Sequence, residues 1–325
     1  MGDGVILDRI RQLAIPPAWT DVWICPWPNG HIQATGTDAA GRRQYRYHDE
    51  WRARRDREKF ERVLAFARVL PQVRAVVEQD LAREGLGRGR VMAAIVRLLD
   101  VGYFRIGGEE YAAEHETYGV ASLRKDHVRV RGGVMVFEYM AKGSIERKLE
   151  VADDEACKVV AALRRRRAGG PNLFAYKAGP RWVEVHAADV NAYIKDVAGA
   201  DFSAKDFRTW SATVLAAATL ATGVSERRSH TAQRRAVSAA VKAVATQLGN
   251  TPAVCRSSYV DPRVIDRFEA GETIADRLDH LPAVSELVHK AGRRGARAQG
   301  AIEEAVMDLL ADPAPERCRD ATEAA

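Results

Sequence analysis

The chain has 325 residues, 46% of them hydrophobic and 29% charged, the composition of a folded globular protein with room for a sizeable core. Lys and Arg number 50 against 44 Asp and Glu, a net charge of +6, and 40 of those 50 bases are arginine. No apolar run approaches the ~20 residues that span a bilayer. Met1-Gly2-Asp3-Gly4 shows no signal-peptide pattern, and Cys25, Cys157, Cys255 and Cys318 stand singly without a C-x-x-C. Membrane, secreted and cysteine-ligated zinc readings are therefore disfavoured, and a cytoplasmic location is expected.

The N-terminal 20 residues begin with a short helical pattern and end in Ile15-Pro16-Pro17-Ala18-Trp19, where the prolines require extended backbone. Val22-Trp23-Ile24-Cys25, His31-Ile32-Gln33-Ala34 and Gln44-Tyr45-Arg46-Tyr47 are strand-like runs split by an Asn29-Gly30 turn and a Gly41 turn. That pattern predicts a small antiparallel sheet. Residues 42–62 hold nine basic and five acidic side chains and lead from the last strand into a helix. The expected domain boundary lies near residue 65, giving a β-rich domain over 1–65 and a mainly helical domain over 66–325.

In the second region helices are predicted around 72–84, 90–100, 108–114, 153–166, 187–197, 205–221 and 231–248. A β-rich stretch interrupts them at 120–150. There Val128-Arg129-Val130 and Val134-Met135-Val136-Phe137 flank Arg131-Gly132-Gly133, and Ala141-Lys142-Gly143-Ser144 makes a second reversal before Ile145–Val151. The 231–248 helix places Ala236, Val237, Ala240, Val241, Val244 and Leu248 on one face and stops at Gly249. No internal repeat is present, and the chain from Pro313 onward is expected to fray.

An arginine-rich, net-positive chain suits an anionic partner such as nucleic acid, because the forked guanidinium matches phosphate geometry; a GC-rich genome would favour the same residues without function. Gly85-Leu86-Gly87-Arg88-Gly89-Arg90 has no strand before it and reads as a helix–helix linker rather than a nucleotide loop. The Arg164–Arg167 run ends a helix and reads equally as a solvated cap or a contact to an anion. No Walker A pattern, H-E-x-x-H or serine elbow occurs. Five isolated residues remain: Arg105 inside an apolar run, Lys142 at a β reversal, Arg208 opening an apolar helix, Asn250 after the Gly249 stop, and Tyr259 beside Ser257-Ser258. Singly, each has an ordinary structural reading: a paired arginine, a turn lysine, a second arginine, a cap asparagine and a core tyrosine.

In order, and with their local contexts, these blocks resemble the small poxvirus-like, bacterial branch of the type IB DNA topoisomerases over nearly the whole chain. Ile15–Trp19 and Gly41-Arg42-Arg43-Gln44-Tyr45-Arg46-Tyr47-His48 resemble the N-terminal domain of that branch. Tyr103-Phe104-Arg105-Ile106-Gly107-Gly108-Glu109-Glu110-Tyr111-Ala112, Tyr118-Gly119 and Leu123-Arg124-Lys125-Asp126-His127-Val128 resemble the segment with the first active-site arginine. Phe137–Gly143 is similar to the hairpin with the lysine, Lys205-Asp206-Phe207-Arg208-Thr209-Trp210 to the segment with the second arginine, and Leu248–Tyr259 to the segment ending in the nucleophile. Two departures stand out. Asn250 occupies a position where many relatives, though not all bacterial ones, have histidine, and Gly108 stands where asparagine is common. Asparagine still donates an N–H but cannot relay a proton.

The resemblance implies an α+β fold built as a two-lobed clamp. A small antiparallel sheet forms the N-terminal lobe, and the larger mainly α-helical catalytic lobe has a β-hairpin that holds the lysine. It implies relaxation of supercoiled duplex DNA through a 3′-phosphotyrosyl intermediate and religation. Tyr259 would be the nucleophile, Arg105, Arg208 and Asn250 the donors to nonbridging phosphate oxygens, and Lys142 the acid for the departing 5′-oxygen. Losing one such donor is expected to cost about 2.7–4 kcal/mol of barrier, by analogy with oxyanion holes. The acceptor of the Tyr259 proton stays open between a water and a phenol acidified among guanidiniums.

No ATP, metal or other cofactor is expected to be required, because protein cations supply the electrostatic stabilisation. Arg42, Arg43, Tyr45, Tyr47, Tyr111, Lys125 and Lys205 are the expected DNA contacts, on a monomer associated with the nucleoid. Tyrosine recombinases share the arginine pair and the tyrosine, but they place histidine three residues before the second arginine, where this chain has Lys205. A catalytically inactive DNA-binding clamp is the remaining alternative.

Overall fold

Alternating apolar residues and tight turns give the N-terminal region its sheet. In the computed structural model, which describes residues 3–108, 112, 114–222, 229–278 and 293–311, helix α1 (Asp3–Gln12) precedes strands β1 (Thr20–Ile24), β2 (Ile32–Thr37) and β3 (Arg43–Tyr47). The strands form an antiparallel sheet in the order β1-β2-β3, with Thr35 opposite both Trp23 and Tyr45. Because side chains alternate across a strand, Arg43, Tyr45 and Tyr47 share one face of β3. Arg46, on the other face, donates through Nε to the Leu13 carbonyl at 2.9 Å.

Helix α2 (Asp49–Leu81) follows directly, and the chain divides within it into two compact units, Met1–Arg62 and Val63–Ala325. A helix beginning near residue 72 is corrected here: α2 runs unbroken through Pro71. Proline removes one backbone donor and crowds the preceding turn. The stripe Val63, Leu64, Phe66, Ala67, Leu70, Val73, Val77 and Leu81 is buried on both sides of it, and that packing outweighs the local penalty.

In the second unit α3 (Arg88–Gly102) is buried from Val91 to Leu99 apart from Arg97. Strands β4 (Val128–Arg131), β5 (Val134–Ala141) and β6 (Ile145–Ala152) form an antiparallel sheet in chain order, with the lysine reversal joining β5 and β6. Helices α4 (Asp154–Arg165), α5 (Ala187–Ala198), α6 (Ala204–Thr222) and α7 (His230–Leu248) lie close to the predicted spans. Burial around nearly all of α6 makes it the central helix of this unit. The helix expected over 108–114 falls largely outside the described residues, as does the chain from Pro313 onward.

Four elements were not anticipated. Strands β7 (Ala175–Ala178) and β8 (Arg181–Glu184) form a hairpin across Gly179-Pro180. Helices α8 (Pro252–Ser258) and α9 (Pro262–Glu269) each start with proline after a capping side chain, Thr251 accepting from Val254 N and Asp261 from Arg263 N. The last described helix, α10 (Arg293–Ala311), packs on α6 and α9. Its buried Glu303 joins Asp100 of α3 in holding Arg74 of α2, at 2.6 Å and 2.8 Å. Burial alone would lower the Arg74 pKa, but the two carboxylates drive it above the usual arginine range.

Among the described residues no helix is long and apolar enough to cross a membrane.

Candidate active site

The site is organised around the C-terminal end of α7. Gly249 takes φ +62°, Asn250 N–H donates to the Ala245 carbonyl at 3.0 Å, and Gly249 N–H to that of Thr246 at 3.4 Å. That paired closure is a Schellman motif, and glycine supplies its left-handed residue. The carbonyls that follow have no partner inside the helix. Three arginines, from β6, α6 and the loop after α3, take them in order, and the first also shares the Thr246 carbonyl with Gly249 N–H. Arg147 of β6 donates to Thr246 at 3.2 Å and Gln247 at 2.7 Å, Arg208 of α6 to Leu248 at 3.1 Å, and Arg105 to Gly249 at 3.0 Å. The partial negative charge at a helix C-terminus, roughly half an electron, draws the three like charges together.

Arg105 owes its position to the chain reversal after α3. Tyr103 ends the helix at φ +55°, and Phe104 is buried edge-on against Phe137 at 5.0 Å. The next residues are then locked to a neighbouring strand of backbone, with Val120 N–H donating to Arg105 O and Ala121 N–H to Ile106 O, both at 2.8 Å. Gly107 and Gly119 permit that approach: a Cβ at Gly119 would lie 2.3 Å from Gly107 N. Besides Gly249 O, Arg105 Nη2 donates to Asn250 Oδ1. An arginine cannot accept, so the Asn250 oxygen faces Arg105 and the Nδ2 donor points elsewhere. That buried Nδ2 makes no regular hydrogen bond among the described residues and has only the Cys255 sulfur, a weak acceptor, beside it.

Arg208 is buried, donates to the Tyr103 carbonyl as well as to Leu248, and lies 5.4 Å from the Tyr259 ring centre. Burial lowers its pKa to about 10, with the charges of Arg105 and Arg147 adding to that and Tyr259 opposing it. It stays charged at neutral pH.

Tyr259 is half-buried at the end of α8. Its backbone is fixed by Thr213 of α6, whose hydroxyl lies 3.3 Å from the Tyr259 carbonyl and accepts from Asp261 N–H at 3.1 Å. Cys255, one turn earlier, is fully buried, and burial raises its thiol pKa.

Of the five residues singled out in the sequence, four meet here: Arg105, Arg208, Asn250 and Tyr259. Lys142 stands exposed at the β5–β6 tip, in a turn made by Gly143 and Ser144 at φ +82° and +55°. Two residues were missed. Thr213 has no signal beyond a polar position in an apolar helix. Arg147 does have one: on β6 it alternates with Ile145, Leu149 and Val151, an arginine in an apolar register, and it is 9% exposed.

The expected DNA contacts separate. Tyr45 is exposed and stacks at 6.0 Å on Tyr47, which stacks at 4.5 Å on Trp51. Arg43, in the same row, donates to Thr35 Oγ1 at 3.0 Å. Exposed Arg42 is paired with Asp38 at 2.7 Å, and holds that carboxyl down at about 2. Lys205 is exposed on the first turn of α6. Lys125 Nζ donates to the carbonyls of Gly170 at 2.6 Å and Arg166 at 3.1 Å, so it staples two loops. Tyr111 lies outside the described residues.

Within the Arg164–Arg167 run Arg166 is neither a solvated cap nor open to an anion. Its guanidinium is ringed by the carbonyls of Leu163, Gly169, Asn172 and Leu173, and lies 5.5 Å from the Trp182 ring.

Comparison with known proteins shows the family. Residues 48–280 match the family described as eukaryotic DNA topoisomerase I, catalytic core, and residues 2–38 the bacterial DNA topoisomerase IB N-terminal domain. The chain is 33% identical over 273 residues to DNA topoisomerase 1B of Acanthamoeba polyphaga mimivirus, covering 81% of this chain and 80% of the relative. It is 21% identical over 272 residues to DNA topoisomerase 1B of vaccinia virus strain Copenhagen, covering 81% and 82%. A third relative, DNA topoisomerase 1 of Mycosarcoma maydis, is 28% identical over 231 residues, 61% of this chain and 22% of that protein. An α+β chain with this arginine–asparagine–tyrosine site, matched across both of its regions, belongs to the type IB DNA topoisomerases, a family of isomerases.

Proposed function

We propose that this protein relaxes supercoiled duplex DNA by cutting one strand, letting the duplex rotate and resealing the cut. The Tyr259 Oη attacks a backbone phosphorus, a P–O bond to tyrosine forms, and the bond from phosphorus to the 5′-oxygen breaks. Lys142 protonates that oxygen as it leaves, and the phenolic proton passes to water. The product is a 3′-phosphotyrosyl enzyme with a free 5′-hydroxyl strand. Religation is the same step reversed, so one ester replaces another and no ATP is consumed.

Arg105, Arg208 and Asn250 bind the nonbridging oxygens, where charge grows in the transition state. Two permanent cations and an amide donor make metal assistance unnecessary. Asn250 acts as a neutral donor only, so this chain has no proton relay at that position. The β-rich unit and the catalytic unit each contact the duplex, and the protein works as a monomer on nucleoid DNA. Arg42, Arg43, Tyr45 and Tyr47 contribute from the first unit, Tyr111, Lys125 and Lys205 from the second. Neutralised phosphates make the binding steeply salt-dependent.

One observation carries this reading: the buried Asn250 Nδ2 has no acceptor better than the Cys255 sulfur, in the same site as Arg105 and the Arg208–Tyr259 contact. A buried donor without a partner costs about 1–3 kcal/mol, which a phosphate oxygen would relieve. The test is relaxation of supercoiled plasmid in EDTA without ATP. The native chain is expected to relax it and Tyr259→Phe to leave it supercoiled while still binding. Binding without relaxation by the native chain would leave an inactive clamp.

A further inference from the structure

Arg147 is the buried cation that the proposed chemistry leaves without a task. It lies on β6 directly across from Tyr139, two pairs below Ala141–Ile145, the pair that closes the Lys142 reversal. An arginine on the buried side of a strand must find partners for a charged group removed from water. Here it finds the Thr246 and Gln247 carbonyls, and the neighbouring Tyr139 hydroxyl favours its charged form. Its stem also packs against the Schellman glycine: a Cβ added at Gly249 would lie 2.9 Å from Arg147 Cδ and 3.0 Å from Nη1. Helix α7 is thus gripped at its last turn by the strand that leads from the lysine hairpin. The next two carbonyls along are those that hold Arg208 and Arg105.

We infer that Arg147 is a positioning residue: it sets the α7 terminus and the lysine hairpin in one register, so that Arg105, Arg208, Asn250 and Lys142 reach the same phosphate. The inference rests on the topoisomerase reading and adds to it a residue outside the five proposed to act on DNA. Arg147 binds two adjacent carbonyls with one rigid fork, and lysine, a point donor on a flexible stem, cannot reproduce that grip. Without it the α7 end is free to shift relative to the hairpin, and a shift of ~1 Å in a reacting constellation costs on the order of 10²-fold in rate.

The test is single-turnover cleavage of a nicked or short duplex substrate that cannot religate, with enzyme in excess, alongside DNA affinity and thermal melting. Arg147→Ala is expected to bind the duplex nearly as tightly as the native chain and to cleave it about 10²-fold more slowly at saturation. Arg147→Lys is expected to fall between the two, and it decides the matter if the alanine variant does not fold. A native cleavage rate at saturation in both folded variants, with only melting lowered, would reduce Arg147 to a structural role and overturn the inference. Affinity that falls with the rate at saturation unchanged would make it a DNA contact, which also overturns it.

Failure of the native chain to cleave would overturn the topoisomerase reading itself. The grip would then be judged by melting alone. Gly249→Ala should destabilise less in the Arg147→Ala background than in the native one, because the collision with the Arg147 stem is gone. Equal effects in the two backgrounds would show that the grip does not exist.

Discussion

Arg166 and the Arg105–Arg147–Arg208 cluster both meet backbone carbonyls, but with opposite geometry. Arg166 sits at the centre of a loop that wraps it, and both of its Nη groups are occupied by four carbonyls. In the cluster one helix end sits at the centre and three guanidiniums surround it; Arg147 and Arg208 commit both Nη groups, as Arg166 does, and Arg105 does not. Arg105 commits Nη2 alone, and its Nε and Nη1 make no hydrogen bond among the described residues. A guanidinium has five N–H groups. Surrounding Arg166 fills both of its Nη groups, leaves only a buried Nε and makes a staple, whereas sharing one dipole among several arginines leaves Arg105 with an uncommitted Nη1 for a ligand. Buried arginine alone therefore does not mark a site; an uncommitted Nη group does.

The largest effect that would break this comparison comes from deleting one arginine of each kind. Arg105→Ala should slow single-turnover cleavage by the 10²–10³-fold that removal of one such donor typically costs, with little change in melting. Arg166→Ala should do the reverse. The carbonyls of Gly169, Asn172 and Leu173 lose their partner, stability falls by about 1–3 kcal/mol, and cleavage per folded molecule is unchanged. Equal loss of cleavage in both variants would mean that the two environments are not functionally distinct.

A smaller effect separates a glycine that places Arg105 from one that only turns the chain. Gly119→Ala puts a methyl 2.3 Å from Gly107 N and 2.6 Å from Arg105 O, both backbone atoms that cannot swing aside. It should cost about 1–3 kcal/mol as overpacking, and slow cleavage as well because Arg105 moves. Gly132→Ala, at φ +56° with open space around it, should cost about 1–2 kcal/mol from conformation alone and leave cleavage intact. Melting and cleavage measured on both variants distinguish the two roles.

How far the sequence predicts this site depends on where each signal lies. Helices α3 to α7, the lysine hairpin and the Gly249 stop were legible because periodicity and turn chemistry are local. Arg105, Arg208, Asn250 and Tyr259 were legible only as an ordered set, since each is unremarkable in its own context. The grip of Arg147 on Thr246 and Gln247 joins residues about 100 positions apart, which no local pattern encodes. Its trace in sequence was an arginine in the apolar register of β6. Helix α2 was read as two helices because Pro71 is a local breaker, and only the buried stripe on both sides of it shows that packing prevails. Helices α8 and α9 were missed although Thr251-Pro252 and Asp261-Pro262 are both cap-plus-proline starts.

The smallest expected effect uses a proton instead of a side-chain deletion, at the edge of the arginine cluster. His127 packs edge-on against Tyr118 at 4.4 Å and near Tyr139, the cross-strand partner of Arg147. Its Nδ1 accepts from Arg124 N–H at 3.2 Å, so the fold uses the neutral ring. Burial lowers its pKa below the usual 6.5, Asp126 opposes that and Arg124 adds to it. Between the lowered value and 6.5 the unfolded chain holds a proton that the folded chain does not. Stability from this group is therefore complete above about 6.5 and is lost as pH falls below it. His127→Asn keeps an acceptor for Arg124 N–H but does not titrate. Melting between pH 7 and pH 5 should fall more steeply for the native chain than for this variant, while the carboxylates common to both cancel in the difference. Parallel melting curves would mean that His127 accommodates its charge in place. The surroundings of Tyr139 would then tolerate another cation as readily as the α7 end does, and the contrast between a saturated staple and an open cluster would have to extend to that side of the site.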